Sequence, residues 1–360
     1  METESGRLSR REVLGGLAAL GVSALLGPGR AAAQTAARPR VINVHHHLIA
    51  PGYLKFLNGI AEPGGEQPVK SPPQMIEEMD TAGIDVCICS IVPPGIWAGD
   101  PAATRRLARE CNEYAAKVAS DYPGRFGMFA VLPLPDIDGS LREIEYGLDT
   151  LKADGVYTFT NWGGTFLFGD RYLGDPGLAP IYEELQRRRA VVSTHPRDAV
   201  CCRGIIPGVT GATIEYPMDT TRTIMSLLAT GTAARYPDVK FIFAHAGGAT
   251  ASLVGRMSGE GAVNLQDGGV MKAGTPAASE RLTLLQKFYY DTAGAANPAT
   301  LGALRRMVPV SQILFGNDYP FGTAAEQHRL LVQSGVFSDA ELRAISSGNI
   351  GALLPRYRTA

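Results

Sequence analysis

Eight short β-rich runs alternate with helix-like stretches across residues 34–360, and this alternation predicts an α/β fold, a (β/α)8 or TIM barrel. Two further observations agree with it. No internal repeat or low-complexity linker divides the span, so a single domain is expected. Five of the six histidines, with one aspartate, fall at the C-terminal ends of the runs, where such barrels carry their chemistry.

The elements follow in order. Residues 41–44 form strand one, and a helical stretch over 73–82 leads into strand two at 84–92, a near-continuous apolar run of the kind a buried parallel strand needs. Helix 102–120 precedes strand three at 126–132, and helix 140–151 precedes strand four at 155–160. Helix 178–189 leads into strand five at 190–194, and helix 219–234 into strand six at 239–244. A helix over 249–257 and a Gly-rich loop or small lid over 258–276 come before strand seven at 288–291. Helix 298–307 feeds strand eight at 312–315.

Residues 1–33 are set apart from this pattern. Arg10 and Arg11 precede an apolar, Gly/Ala-rich stretch from Val13 to Leu26, and Ala31-Ala32-Ala33 offers a cleavage site before Gln34. Gly and Pro interrupt the span between Arg11 and Arg30, which makes it a poor spanning helix. The hexad SRREVL resembles the twin-arginine export motif. The expectation is a signal peptide at 1–33, a barrel domain at 34–360, a periplasmic or secreted location, and no membrane association after export.

Composition narrows the partners. Hydrophobic residues make up 45% and charged residues 19%, and the net charge is −1 with no long basic run. Nucleic acid and anionic membrane surfaces both require clustered Lys and Arg, so neither is expected as a partner. Five cysteines without a CxxC pair do not make a disulfide scaffold.

Strand one ends in His45-His46-His47, strand five in His195, strand six in His245, and strand eight in Gly316-Asn317-Asp318. Residues two apart on a strand share a face, so His45 and His47 can both face the barrel mouth while His46 points away. His195 and Asp318 can join them from across the barrel. That gives three nitrogens and one oxygen, a set suited to one divalent ion, Zn²⁺ or else Mn²⁺, with a position left open for water or substrate. His328 lies beyond strand eight in a helical run and reads as a surface or interlayer residue.

With these residues in view, the chain resembles the amidohydrolase superfamily, in the branch related to aminocarboxymuconate-semialdehyde decarboxylase. The carriers are VHHH at 44–47, THP at 194–196, HAGG at 245–248 and GNDYP at 316–320. Longer strings, including DRYLGDPGLAPIYEELQRRRAVVSTHP and YYDTAGAANP, are similar to the 6-methylsalicylate decarboxylase group. The resemblance implies an amidohydrolase-like barrel with a mononuclear metal on His45, His47, His195 and Asp318, and His245 unliganded beside the substrate. It also implies non-oxidative loss of CO₂ from a small aromatic acid with an ortho hydroxyl. Similar enzymes are often dimers, so a homodimer is expected by analogy. Two positions depart from the family pattern: Asn43 stands where an acidic residue is usual, and Asn317 where serine is usual.

The chemistry fits these residues. Direct loss of CO₂ would leave an aryl carbanion, so protonation of the ipso carbon comes first, and a donor must stand over that carbon. Asp318 is the first choice and His245 the second. Trp162 offers a flat face for the ring, and Arg197 a cation for the acid. The competing reading is a metal-dependent hydrolase of a lactone or amide with His245 as general base. A metal-binding protein without catalysis is disfavoured, because it has no use for the unliganded His245.

Overall fold

The computed structural model describes residues 38, 40–60, 68–162, 171–258 and 278–358. Residues 1–33, expected to be a signal peptide, and nearly all of the Gly-rich loop at 258–276 lie outside the described residues. Eight parallel strands form one sheet in chain order: β1 (Ile42–His47), β2 (Val86–Ser90), β3 (Phe126–Val131), β4 (Gly155–Phe159), β5 (Val191–His195), β6 (Lys240–Phe243), β7 (Tyr289–Asp291) and β8 (Ile313–Leu314). Val44 N donates to Phe315 O at 2.9 Å, and His47 N to Tyr319 O at 3.0 Å, so β1 meets the segment that continues β8 and the sheet closes. The expected eight-stranded barrel is the observed architecture.

Helices cover the strands, and sequence sets where they start. Asp100 accepts from Ala102 N at 2.8 Å and Ala103 N at 3.0 Å, and Pro101 occupies the first position of helix Pro101–Asp121. Asn297 and Pro298 repeat the device for helix Pro298–Met307. Three helical segments go beyond the sequence reading, Pro51–Ile60, Ala278–Leu285 and the run that begins at Asp339–Arg343, and helix Ala324–Gln333 is the helical run expected around His328. Among the described residues no helix is long and apolar enough to cross a membrane.

Strand residues alternate between two apolar clusters. Ile42, Val86, Ile88, Val131, Tyr157 and Ile242 belong to one. Cys87, Cys89, Val156, Val192 and Phe243 belong to the other, together with helix residues such as Met79, Leu185 and Leu228. This is the two-residue period of a sheet buried on both faces.

That period breaks once, in β1. Asn43 pairs with Cys87 but His46 pairs with Cys89, so Val44 and His45 together oppose the single residue Ile88. The bulge resets the parity. Without it, His46 would share a face with Ile42 and Val44; with it, His45 and His47 take the inner side and His46 the outer. Of the cysteines, Cys87, Cys89 and Cys111 are buried and free, whereas Cys201 and Cys202 are joined to each other by a disulfide.

Candidate metal centre

His45, His47, His195 and Asp318 each offer one ligand atom, and these atoms all lie within 4.8 Å of one another. Asp318 Oδ1 sits 3.1 Å from His45 Nε2, 3.1 Å from His47 Nε2 and 3.8 Å from His195 Nε2. The first two imidazole nitrogens are themselves 3.3 Å apart. The residues come from three parts of the barrel: the bulged end of β1, the end of β5, and the turn after β8.

Each imidazole has its far nitrogen engaged, which fixes the ring and, where the partner can only accept, the tautomer. His45 Nδ1 donates to Asp291 Oδ2 at 2.9 Å. His47 Nδ1 meets Ser90 Oγ at 3.3 Å. His195 Nδ1 donates to Pro196 O at 2.7 Å. His45 and His195, with Nδ1–H engaged, and His47 all turn Nε2 toward the centre. His195 Nε2 is buried without a hydrogen-bond partner. A buried acceptor of this kind is costly unless something electropositive meets it. The donor set fits a divalent cation.

The electrostatics lead to the same place. Burial opposes a charge on His45, but the Asp291 and Asp318 carboxylates on either side outweigh it and lift its pKa to about 10. Burial pushes His195 down to about 3 and lowers His47 as well. For Asp318, burial works upward, yet the surrounding histidines hold the carboxyl well below its usual range. Two carboxylates thus favour positive charge on the His45 ring, and one of them, Asp318, stands where the three imidazoles converge.

His46 is not part of this group. Burial, then the neighbouring His47 and His45, push its pKa down to about 3. Its ring stacks on Tyr319 with centroids 4.2 Å apart, and Nδ1 lies 3.3 Å from Asn43 Nδ2. The two departures from the family pattern touch each other: Asn43 Nδ2 donates to Asn317 Oδ1 at 2.9 Å. Asn43 Oδ1 accepts from His45 N at 3.1 Å, and Asn317 Oδ1 from Tyr319 N at 3.0 Å. The pair ties the bulge of β1 to the turn that carries Asp318.

His245 stands beside the centre, with its ring 5.0 Å from His45 and 5.2 Å from His195. Its Nδ1 donates to Ala293 O at 2.9 Å, and its backbone N–H to Asp291 Oδ1 at 3.0 Å. The residue has φ 56°, in the left-handed region. Gly248 makes the following turn possible, because a Cβ there would come within 2.0 Å of Pro217 O. A pocket of about 740 Å³ opens over the centre, lined by His195, His245, Asp318, Tyr216, Pro93 and Phe321.

Asp291 is the functional residue that sequence reasoning passed over. One oxygen orients His45, and the other accepts from His245 N and Ala293 N, both at 3.0 Å. A Cβ at Gly316 would lie 3.0 Å from its Cγ and 2.9 Å from His45 Cβ, so β8 passes close by only as glycine. The signal was an aspartate at the end of strand seven. Trp162 and Arg197 do not line the pocket over the centre; both line a neighbouring cavity. His328 packs between layers, its ring edge-on to Phe315 at 5.2 Å.

An eight-stranded barrel with a three-His, one-Asp centre at its strand ends defines a metal-dependent enzyme of amidohydrolase type. Residues 42–356 match the family described as Amidohydrolase, and the chain belongs to it. It is 34% identical over 335 residues to decarboxylase yanB of Aspergillus niger, covering 88% of each chain. It is 37% identical over 289 residues to the 6-methylsalicylic acid decarboxylase acuB of Aspergillus aculeatus, covering 78% of this chain and 84% of that one. The crystal structure of a dihydroxybenzoic acid decarboxylase from Polaromonas sp. JS666, with bound manganese and 2-nitroresorcinol, superposes with a TM-score of 0.77 at 22% identity. That match covers 89% of this chain and 98% of the other, and it establishes the shared fold.

Proposed function

We propose that this protein is a metal-dependent, non-oxidative decarboxylase of an ortho-hydroxy aromatic acid resembling 6-methylsalicylate. The observation that carries the reading is the convergence of three Nε2 atoms and Asp318 Oδ1, each imidazole locked through its other nitrogen. The relatives at 34% and 37% identity, both named as decarboxylases, support the reaction class.

His45, His47, His195 and Asp318 would hold the ion, with Zn²⁺ preferred for three imidazoles and a carboxylate and Mn²⁺ second. When bound, it supplies positive charge that anchors the carboxylate and ortho oxygen of the acid. Asp318 accepts the proton of the substrate's hydroxyl and delivers it to the ipso carbon. The C–C bond then breaks, its electron pair restores the aromatic ring, CO₂ departs, and solvent reprotonates the phenolate. His245, with Nδ1–H tied to Ala293 O, presents Nε2 to the substrate. It orients the carboxylate and is the second candidate donor.

The testing experiment measures CO₂ release from a panel of hydroxylated benzoic acids by metal-loaded and chelator-stripped protein. The reading requires turnover of an ortho-hydroxy acid that disappears on stripping and returns with added Zn²⁺ or Mn²⁺. No turnover by any acid with the site fully loaded overturns it.

We also infer export through the twin-arginine-type segment at 1–33, supported by Arg10-Arg11 and the Ala31–Ala33 site. Replacing both arginines with lysine should retain active protein in the cytoplasm, and exported protein should begin near Gln34. Unprocessed, exclusively cytoplasmic protein in the native cell contradicts the inference.

A further inference from the structure

A second cavity, of about 480 Å³, lies next to the pocket over the metal centre. Its walls are mainly apolar, built from Ile96, Trp97, Leu132, Leu134, Phe159 and Trp162. The cavity is partly open, with Trp97 45% exposed on its rim, and a concave, mainly apolar space of this size with a few polar groups on its wall is the kind of site that takes a small molecule.

Three links join it to the centre. Phe159 pairs with His195 across the β4–β5 ladder, and their rings stand edge to face at 6.3 Å. A cavity wall and a metal-site imidazole are thus neighbours on adjacent strands. The loop after β2 serves both spaces: Pro93 lines the metal pocket, and Gly95, Ile96 and Trp97 line the cavity. Gly95 has φ +99°, and a Cβ there would lie 2.9 Å from the Phe159 ring, so the loop closes on that ring only because residue 95 has no side chain. Finally, Arg197 follows His195 by two residues and lines the cavity, as do Arg171 and Arg203.

We propose that this cavity receives an apolar arm of the substrate, an alkyl chain or second ring carried by the aromatic acid. The inference rests on the decarboxylase reading above. The metal centre fixes the acid end of the molecule, and the cavity selects what the ring carries. The arginines on its wall leave room for a neutral or anionic tip and disfavour a cationic one.

Both tryptophans of the chain, Trp97 and Trp162, line the cavity, so its filling has a direct optical readout. Metal-loaded enzyme is titrated with 4-hexylphenol, which has no carboxylate to lose. A saturable change in tryptophan emission is expected, still visible in Trp97→Phe and in Trp162→Phe. Salicylates with unbranched chains of one to six carbons at ring position 4, 5 or 6 then form three kinetic series. In at least one series KM falls roughly threefold per methylene. Leu134→Phe, with Ile96→Phe as a second way to narrow the same space, reduces that dependence to under twofold across the series. An aminohexyl chain loses at least tenfold against hexyl. KM flat with chain length in all three series while salicylate itself is decarboxylated overturns the proposal, as does hexylphenol binding that leaves both tryptophans unaltered. If no acid is decarboxylated yet hexylphenol still shifts the emission, and Leu134→Phe weakens that shift, the decarboxylase reading fails and the apolar site stands.

Discussion

Replacing Asp291 with asparagine tests how the metal centre is tuned, because the change conserves shape and removes only charge and one acceptor. Asp291 accepts three hydrogen bonds: His45 Nδ1 at 2.9 Å on one oxygen, and His245 N and Ala293 N at 3.0 Å on the other. Asparagine has one acceptor oxygen. Turned toward His45, it sets its amide N–H₂ against two backbone donors. Turned toward the backbone, it sets N–H₂ against His45 Nδ1, and His45 must then carry its proton on Nε2, the atom aimed at Asp318. The second orientation leaves fewer clashing donors, so the variant trades a metal-facing lone pair for a metal-facing proton. Loss of an outer partner of this kind costs about 10- to 100-fold in metal affinity, or about 1.4 to 2.7 kcal/mol. Chelator competition at neutral pH measures it, with thermal melting of the metal-free protein as the control for folding. A Kd within twofold of wild type would refute the claim that Asp291 sets the tautomer of His45.

Three further outcomes follow from the geometry. His45→Ala, His47→Ala, His195→Ala and Asp318→Ala each lose most bound metal by elemental analysis, whereas His46→Ala keeps it. Loss of the Tyr319 stack instead costs that variant about 1 kcal/mol or more of stability. His245→Ala retains the ion and loses roughly 10²- to 10⁴-fold in kcat, which single-turnover CO₂ release measures. Far from the centre, burial pushes the Asp154 carboxyl up to about 6, against the pull of Arg356, Tyr357 and the Met128 N–H. A raised carboxyl holds its proton longer in the folded chain than in the unfolded one, whose value is about 3.9. Its stabilising contribution is full below that value and is lost as pH rises through about 6. Urea unfolding should therefore show Asp154→Asn gaining about 2 kcal/mol relative to wild type between about pH 4.5 and about pH 7.

The barrel was legible because buried parallel strands read as apolar runs, and Val156, Val192 and Phe241 each sit inside one. The grouping of the histidines was legible through their place at strand ends. Other features were not. The bulge at Val44 and His45 leaves no mark in a run of three identical residues, although it decides which of them face inward. Asp291 reads like any aspartate that closes a strand, and its role exists only once β7 lies beside β1 and β6 in space. Helix Pro51–Ile60 opens with Pro-Gly, a turn signal, and is helical because Tyr53 and Leu57 bury one face. Trp162 and Arg197 were tied to the ring and the acid by type alone; Trp162 follows strand four and Arg197 strand five, and both line the neighbouring cavity.

The central claim is tested most directly by isotope labelling with metal-loaded enzyme. An ortho-hydroxy aromatic acid turned over in D₂O should give CO₂ and an arene with one deuterium at the vacated carbon, and no oxygen from H₂¹⁸O should enter the phenol. A broad panel of aromatic acids left intact, with a lactone or amide opened and ¹⁸O found in the carboxylate product, would contradict it and make this chain a hydrolase.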